Sequence, residues 1–149
     1  MMTETPAGGY AGDVSVQATW DDLQKSSDAT LIDVRSQAEW VYVGVPVLAS
    51  IRKETLLIEW DDFSTRDRVP DFMGRLKAAL EERGLGPDAP LYFICRSGNR
   101  SRTAAIEATA AGYRKCFNVE FGFEGRLSPE RHRGTPSSWK AAGLPWVQS

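Results

Sequence analysis

Apolar residues along this chain gather in short runs, separated by longer stretches where they recur every three or four positions. "ATLIDV" (29–34) and "PLYFIC" (90–95) are apolar enough to be buried on both faces, as central strands of a parallel sheet are. "VSV" (14–16), "ETLLIEW" (54–60) and "CFNVEF" (116–121) predict further strands. Helices are predicted between them. Thr19 opens one through "WDDLQK", with Asp22 as capping partner, and Ser36 with Glu39 repeats that spacing ahead of Trp40 and Val41. "PDFMGRLKAALEERG" (70–84) has Pro70 and Asp71 at its start, Phe72, Leu76, Ala79 and Leu80 at helical spacing, and Gly84 at its end. "SRTAAIEATAAG" (101–112) is an alanine-rich helix that stops at a glycine. Strands alternating with helices imply an α/β fold around an open, mainly parallel sheet. Residues 1–12 have no periodicity and read as a flexible arm, leaving 13–149 as one domain.

Length and composition narrow the function classes. A chain of 149 residues suits a single core. With 42% hydrophobic residues, 26% charged and a net charge of −2, it has no global basic field for nucleic acid. The opening "MMTETPAGGYAGD" has no basic segment followed by an apolar one, and no later run reaches the roughly 18 apolar residues of a membrane span, so a cytoplasmic protein is expected. Two cysteines and one histidine are too few for a four-ligand zinc site, and no metal is expected.

The chemistry concentrates in "FICRSGNRSRTAA" (93–105). Cys95 ends an apolar strand, where functional groups of open α/β sheets gather. Arg96, Ser97, Gly98, Asn99 and Arg100 form a turn able to curl backbone N–H groups around an anion. A helix N-terminus and Arg96, Arg100 and Arg102, with no acidic residue from 95 to 106, favour thiolate over thiol, although burial opposes this. The plainer role of such a cysteine is to pack in the core.

"LIDVRSQAEW" (31–40), "YFICRSGNRS" (92–101) and "GTPSSWKAAGLPW" (134–146) together resemble a single-domain rhodanese, with the match running from about Val14 to Val147. The resemblance implies helices on both faces of the sheet and a sulfurtransferase needing no cofactor. Cys95 would form a persulfide, Arg96 to Ser101 would cradle it, and Asp33 with Arg35 would be a structural pair near the loop. The partners implied are thiosulfate or a persulfide donor, and cyanide, a thiol or a protein as acceptor. Two departures bear on acceptor choice. "VGVPVLAS" (43–50) stands where the family often has a histidine-containing "G-H-I-x-G-A", and "FEGRLSPERHRG" is inserted after the last strand.

Other cysteine chemistries compete with this one. A Cys-His hydrolase requires a base beside the thiol, and His132 in the inserted segment is the one candidate. Phosphatases and arsenate reductases of rhodanese fold use a seven-residue loop, against six from Cys95 to Arg100. A regulatory or sulfur-relay module that docks a partner is the non-enzymatic alternative. Cys116 is read as a core thiol, with a resolving role as its alternative. Of the five tryptophans most are expected in the core, while Trp139 and Trp146 are candidates for an interface. Arg126, Arg131 and Arg133 face one Glu130 in a segment read as a solvated loop, with acceptor docking at 122–134 as the alternative.

Overall fold

Strands Thr30–Asp33 (β2) and Leu91–Ile94 (β5) are buried at every position, the burial pattern that their unbroken apolar character demands. They are described by a computed structural model that covers residues 9–61, 69–125 and 138–148. The two pair in parallel, Thr30 beside Leu91 and Asp33 beside Ile94. Gly12–Val14 (β1), Leu56–Leu57 (β4) and Cys116–Val119 (β6) complete a five-stranded parallel sheet in the order β1-β6-β5-β2-β4. Parallel strands need crossovers, and the helices supply them: Val16–Lys25 (α1), Gln37–Tyr42 (α2), Phe72–Glu82 (α3) and Asn99–Ala110 (α4).

The period-2 alternation of the strands sends neighbouring residues to opposite faces. Ile32, Leu91, Phe93 and Cys116 pack with Phe72, Leu76 and Leu80 of α3 and Ala104, Ala105 and Ala108 of α4. Leu31, Tyr92, Ile94 and Val119 pack with Val16 and Leu23 of α1 and with Trp139 and Leu144 of the tail. Helices therefore cover both faces. Trp139 is fully buried, meets Trp20 edge-on, and donates through Nε1 to Pro145 O at 2.8 Å, so it is a core residue. A second, two-stranded antiparallel sheet joins Val45–Pro46 (β3) to Trp146–Val147 (β7). Trp146 is thus fixed in a sheet, and Lys140 Nζ sits 4.1 Å from its ring centroid. No helix among the described residues is long and apolar enough to cross a membrane.

Several boundaries differ from those read in the sequence, for local reasons. The first helix begins at Val16 because Ser15, not Thr19, caps it, accepting from Ala18 N at 3.0 Å; Thr19 lies inside and donates to Ser15 O. The β-branched valines of "VSV" suggested a strand, but Val16, Thr19 and Leu23 share a buried helical face. β1 also starts at Gly12, one residue before the expected domain boundary, and Ala11 N donates to Cys116 O. In "ETLLIEW" only Leu56 and Leu57 form ladder pairs, although Ile58 and Trp60 N–H groups still bond Asp33 and Val34 carbonyls. β6 stops at Val119 because Phe121 and Gly122 both take left-handed backbone, with φ of 66° and 58°. The capping box at Ser36 and Glu39 is present as read.

Candidate active site

Cys95 follows the central strand β5 directly, so its backbone is held by the sheet while its side chain reaches the turn beyond the strand's carboxyl end. Gly98, with φ of 107°, reverses that turn and starts α4 at Asn99, two residues before the predicted start. Gly98 N–H donates to Cys95 Sγ at 3.2 Å, while Ser101 Oγ lies 3.1 Å from the same sulfur. Cys95 is 1% exposed, and it borders a cavity of about 260 Å³ lined also by Glu39, Asp61, Arg96, Ser97, Asn99 and Arg100. The cavity is small and polar. It suits a small anion or a single sulfur group better than an extended organic substrate.

The loop's arginines do not stand unopposed. Arg100 Nη1 and Nη2 donate to Glu39 Oε1 and Oε2 at 2.6 and 2.9 Å, and Nη1 lies 3.4 Å from Asp61. Both acids come from outside the 95–106 stretch, which is why local charge counting did not show them. Burial pushes the Glu39 carboxyl up, but the Arg100 hydrogen bonds and charge outweigh it and hold the group below its ordinary value. The same acids, with Glu39 foremost, push the Arg100 guanidinium above its ordinary range despite burial. Arg100 thus braces the cradle against α2, and Arg96, which is exposed, is the freer cation at the cavity.

Asp33 and Arg35 form a buried pair, both 0% exposed, with Arg35 Nη2 2.6 Å from Asp33 Oδ2. Arg35 also donates to Gly44 O at 2.7 Å, and its guanidinium lies 4.3 Å above the Phe123 ring. Phe123 N–H in turn donates to Cys95 O at 2.8 Å. The pair therefore supports the loop from below and does not line the cavity. Glu124 and Gly125 N–H groups bond Arg96 O at 3.0 and 3.1 Å, so the start of the inserted segment is tied to the base of the cysteine loop. His132, Arg126, Glu130, Arg131 and Arg133 lie outside the described residues.

Glu39, Asp61, Asn118 and Gly122 went unrecognised as parts of the site. Glu39 carried a signal as a capping residue only. Asn118, a polar side chain in the apolar run "CFNVEF", was the one visible anomaly, because a buried amide needs partners. It accepts from Ser101 Oγ at 2.5 Å and donates to Asp13 Oδ1 at 2.9 Å. Cys116 lies in the core, 0% exposed, with its Sγ 3.6 Å from Tyr113 O, and burial pushes its thiol up to about 11.

Residues 16–127 match the model of the rhodanese-like domain. An uncharacterized protein of Rickettsia rickettsii is 32% identical over 127 residues, spanning 85% of this chain and 89% of that one. The crystal structure of Rv0390 from M. tuberculosis is similar with a TM-score of 0.82 and 44% identity, over 94% of this chain and 99% of that one. A polysulfide-sulfur transferase from Wolinella succinogenes, solved as a homodimer, has a TM-score of 0.61 at 23% identity, over 92% of this chain and 78% of that one.

Proposed function

Because this chain belongs to the rhodanese-like domain family, we propose that it is a sulfurtransferase in which Cys95 carries the sulfur as a persulfide. One observation carries the reading: a nearly buried thiol accepts a backbone N–H from its own six-residue loop and borders a small polar cavity. A fold shared with a polysulfide-sulfur transferase supports sulfur as the transferred atom.

The reaction is a double displacement. Cys95 thiolate attacks the outer sulfur of thiosulfate, the S–S bond of the donor breaks, and sulfite leaves with its electron pair. The new Cys95 persulfide anion is stabilised by the loop, whose Gly98 N–H is already directed at the sulfur, as an oxyanion hole stabilises its anion. Cyanide or a thiol then attacks the terminal sulfur and regenerates the Cys95 thiolate. A persulfide donor reacts in the same way, leaving a thiolate in place of sulfite. No organic cofactor enters either half of the cycle. The free thiols Cys95 and Cys116 suit a reducing compartment, and we place the protein in the cytoplasm.

Intact mass spectrometry before and after thiosulfate tests the reading. Gain of one sulfur atom by the parent, reversed by cyanide and absent from Cys95→Ser, is the expected result. Sulfur transfer retained by Cys95→Ser would overturn it, as would turnover of a phosphate or arsenate substrate with no mass gain.

A further inference from the structure

Beside the thiol, a chain of polar side chains that do not line the cavity runs from buried Ser101 and Asn118 out to exposed Asp13, and its hydrogen-bond directions are forced. Its far end is Asp13, a carboxylate that can only accept; it takes Asn118 Nδ2–H at 2.9 Å and the Tyr10 hydroxyl at 2.7 Å. Asn118 must therefore turn its Oδ1 toward Ser101, and it lies 2.5 Å from Ser101 Oγ. An amide oxygen only accepts, so the Ser101 hydroxyl spends its single proton on Asn118. What Ser101 then shows Cys95 Sγ, 3.1 Å away, is a lone pair. Ser101 and Asn118 are both 0% exposed, so the bond between them is shielded from water, while Asp13 at the far end is exposed.

We infer that Asn118 and Asp13 are positioning residues that turn the Ser101 hydroxyl away from Cys95 and so hold the resting nucleophile as a thiol whose S–H donates to Ser101. The inference rests on the reading of Cys95 as the nucleophile, and it assigns the activation step. Cys95 loses its proton to solvent or donor, the Ser101 O–H leaves Asn118 Oδ1, and it turns onto the sulfur anion. The anion then has two donors, Ser101 O–H and Gly98 N–H. Reactivity is thus restrained until the hydroxyl turns, and that restraint is exerted from β6 and β1, whose residues do not line the cavity.

Charged groups surround the sulfur on both sides. Arg96, Arg100, Glu39 and Asp61 line the cavity. Asp13 lies beyond Asn118, with Tyr10 on it and Arg102 Nε 4.0 Å away. Replacing Asp13 alters charge as well as hydrogen-bond direction, so the decisive variant is the neutral one. Asn118→Leu removes the acceptor and leaves Ser101 free to donate to sulfur.

The test is the pH profile of Cys95 alkylation by iodoacetamide, read by site-resolved mass spectrometry on the full chain. A hydrogen bond gained by a charged group corresponds to about one pH unit, so Asn118→Leu is expected to alkylate about tenfold faster on the acid limb. Its profile should shift to lower pH. The acceleration should vanish in the Ser101→Ala background, because the double-mutant cycle then has no hydroxyl left to turn. Asp13→Leu, which removes the acceptor that holds the Asn118 amide, should accelerate in the same direction and serves where Asn118→Leu fails to fold. An unchanged profile in a folded variant, or acceleration that persists without Ser101, would overturn the inference. Alkylation needs no sulfur donor, so failure of persulfide formation and failure of this network are separate outcomes.

Discussion

Arg100 and Glu39, 61 positions apart in sequence, meet as a bidentate pair at 2.6 and 2.9 Å. The relationship joins two elements whose sequence signals were unrelated. Arg100 stands in the first turn of α4, and Glu39 is the partner of Ser36 in the capping box of α2. Glu39 Oε1 accepts from Ser36 N–H and from Arg100 together, so one carboxylate closes a helix end and fixes the cysteine loop.

Glu39→Gln keeps the shape and loses the charge. Stability should fall by about 2 kcal/mol, the scale of a hydrogen bond between charged groups. Because the folded carboxyl titrates below its ordinary value of 4.5, its contribution is fully present above that pH and is lost as pH falls through the folded value. Urea melts across pH 3 to 7 should therefore show a steeper acid loss in the parent than in Glu39→Gln.

At Gly122 the constraint is steric as well as conformational. Its φ is +58°, and a Cβ there would collide with Cys95 O and the Arg96 carbonyl. Gly122→Ala should cost about 1–3 kcal/mol through backbone strain and should displace the base of the loop. Thermal melting together with sulfur-transfer rate is the check, and the rate should fall more than the folded fraction does.

Asp33→Ala leaves the Arg35 guanidinium buried without its counter-charge. Breaking such a pair from one side costs about 3–5 kcal/mol. Denaturant unfolding should show that loss. A surface pair would lose about 1 kcal/mol or less, so the size of the change separates the two descriptions.

Cys116→Ala tests the core role of the second thiol. A small buried deletion of this kind should lower stability by about 1–2 kcal/mol. The rate of sulfur transfer to cyanide should be unchanged. With its thiol pushed up to about 11, Cys116 should also resist iodoacetamide at neutral pH while Cys95 reacts.

The α/β character and the central strands were legible because burial on both faces leaves an unbroken apolar run, as in "ATLIDV" and "PLYFIC". The cysteine loop was legible because its chemistry is packed into consecutive residues. Short elements were not. β3 and β7 are two residues each, and nothing in "VP" or "WV" announces that they pair across the length of the chain. Helix starts shifted where a cap or a left-handed glycine, at Ser15 and Gly98, outweighed the apolar pattern.

By itself, then, the sequence determined which residue is the nucleophile candidate and that it follows a central strand, because strand, turn and helix signals are local and additive along the chain. Tertiary structure alone decided what surrounds Cys95. Glu39 and Asp61 come to Arg100, Gly122 fits beneath Cys95 O, and Asn118 with Asp13 sets the direction of the Ser101 hydroxyl. These contacts depend on angles and distances between elements far apart in the chain, and hydrogen bonding and charge act over a few ångströms whatever the separation in sequence.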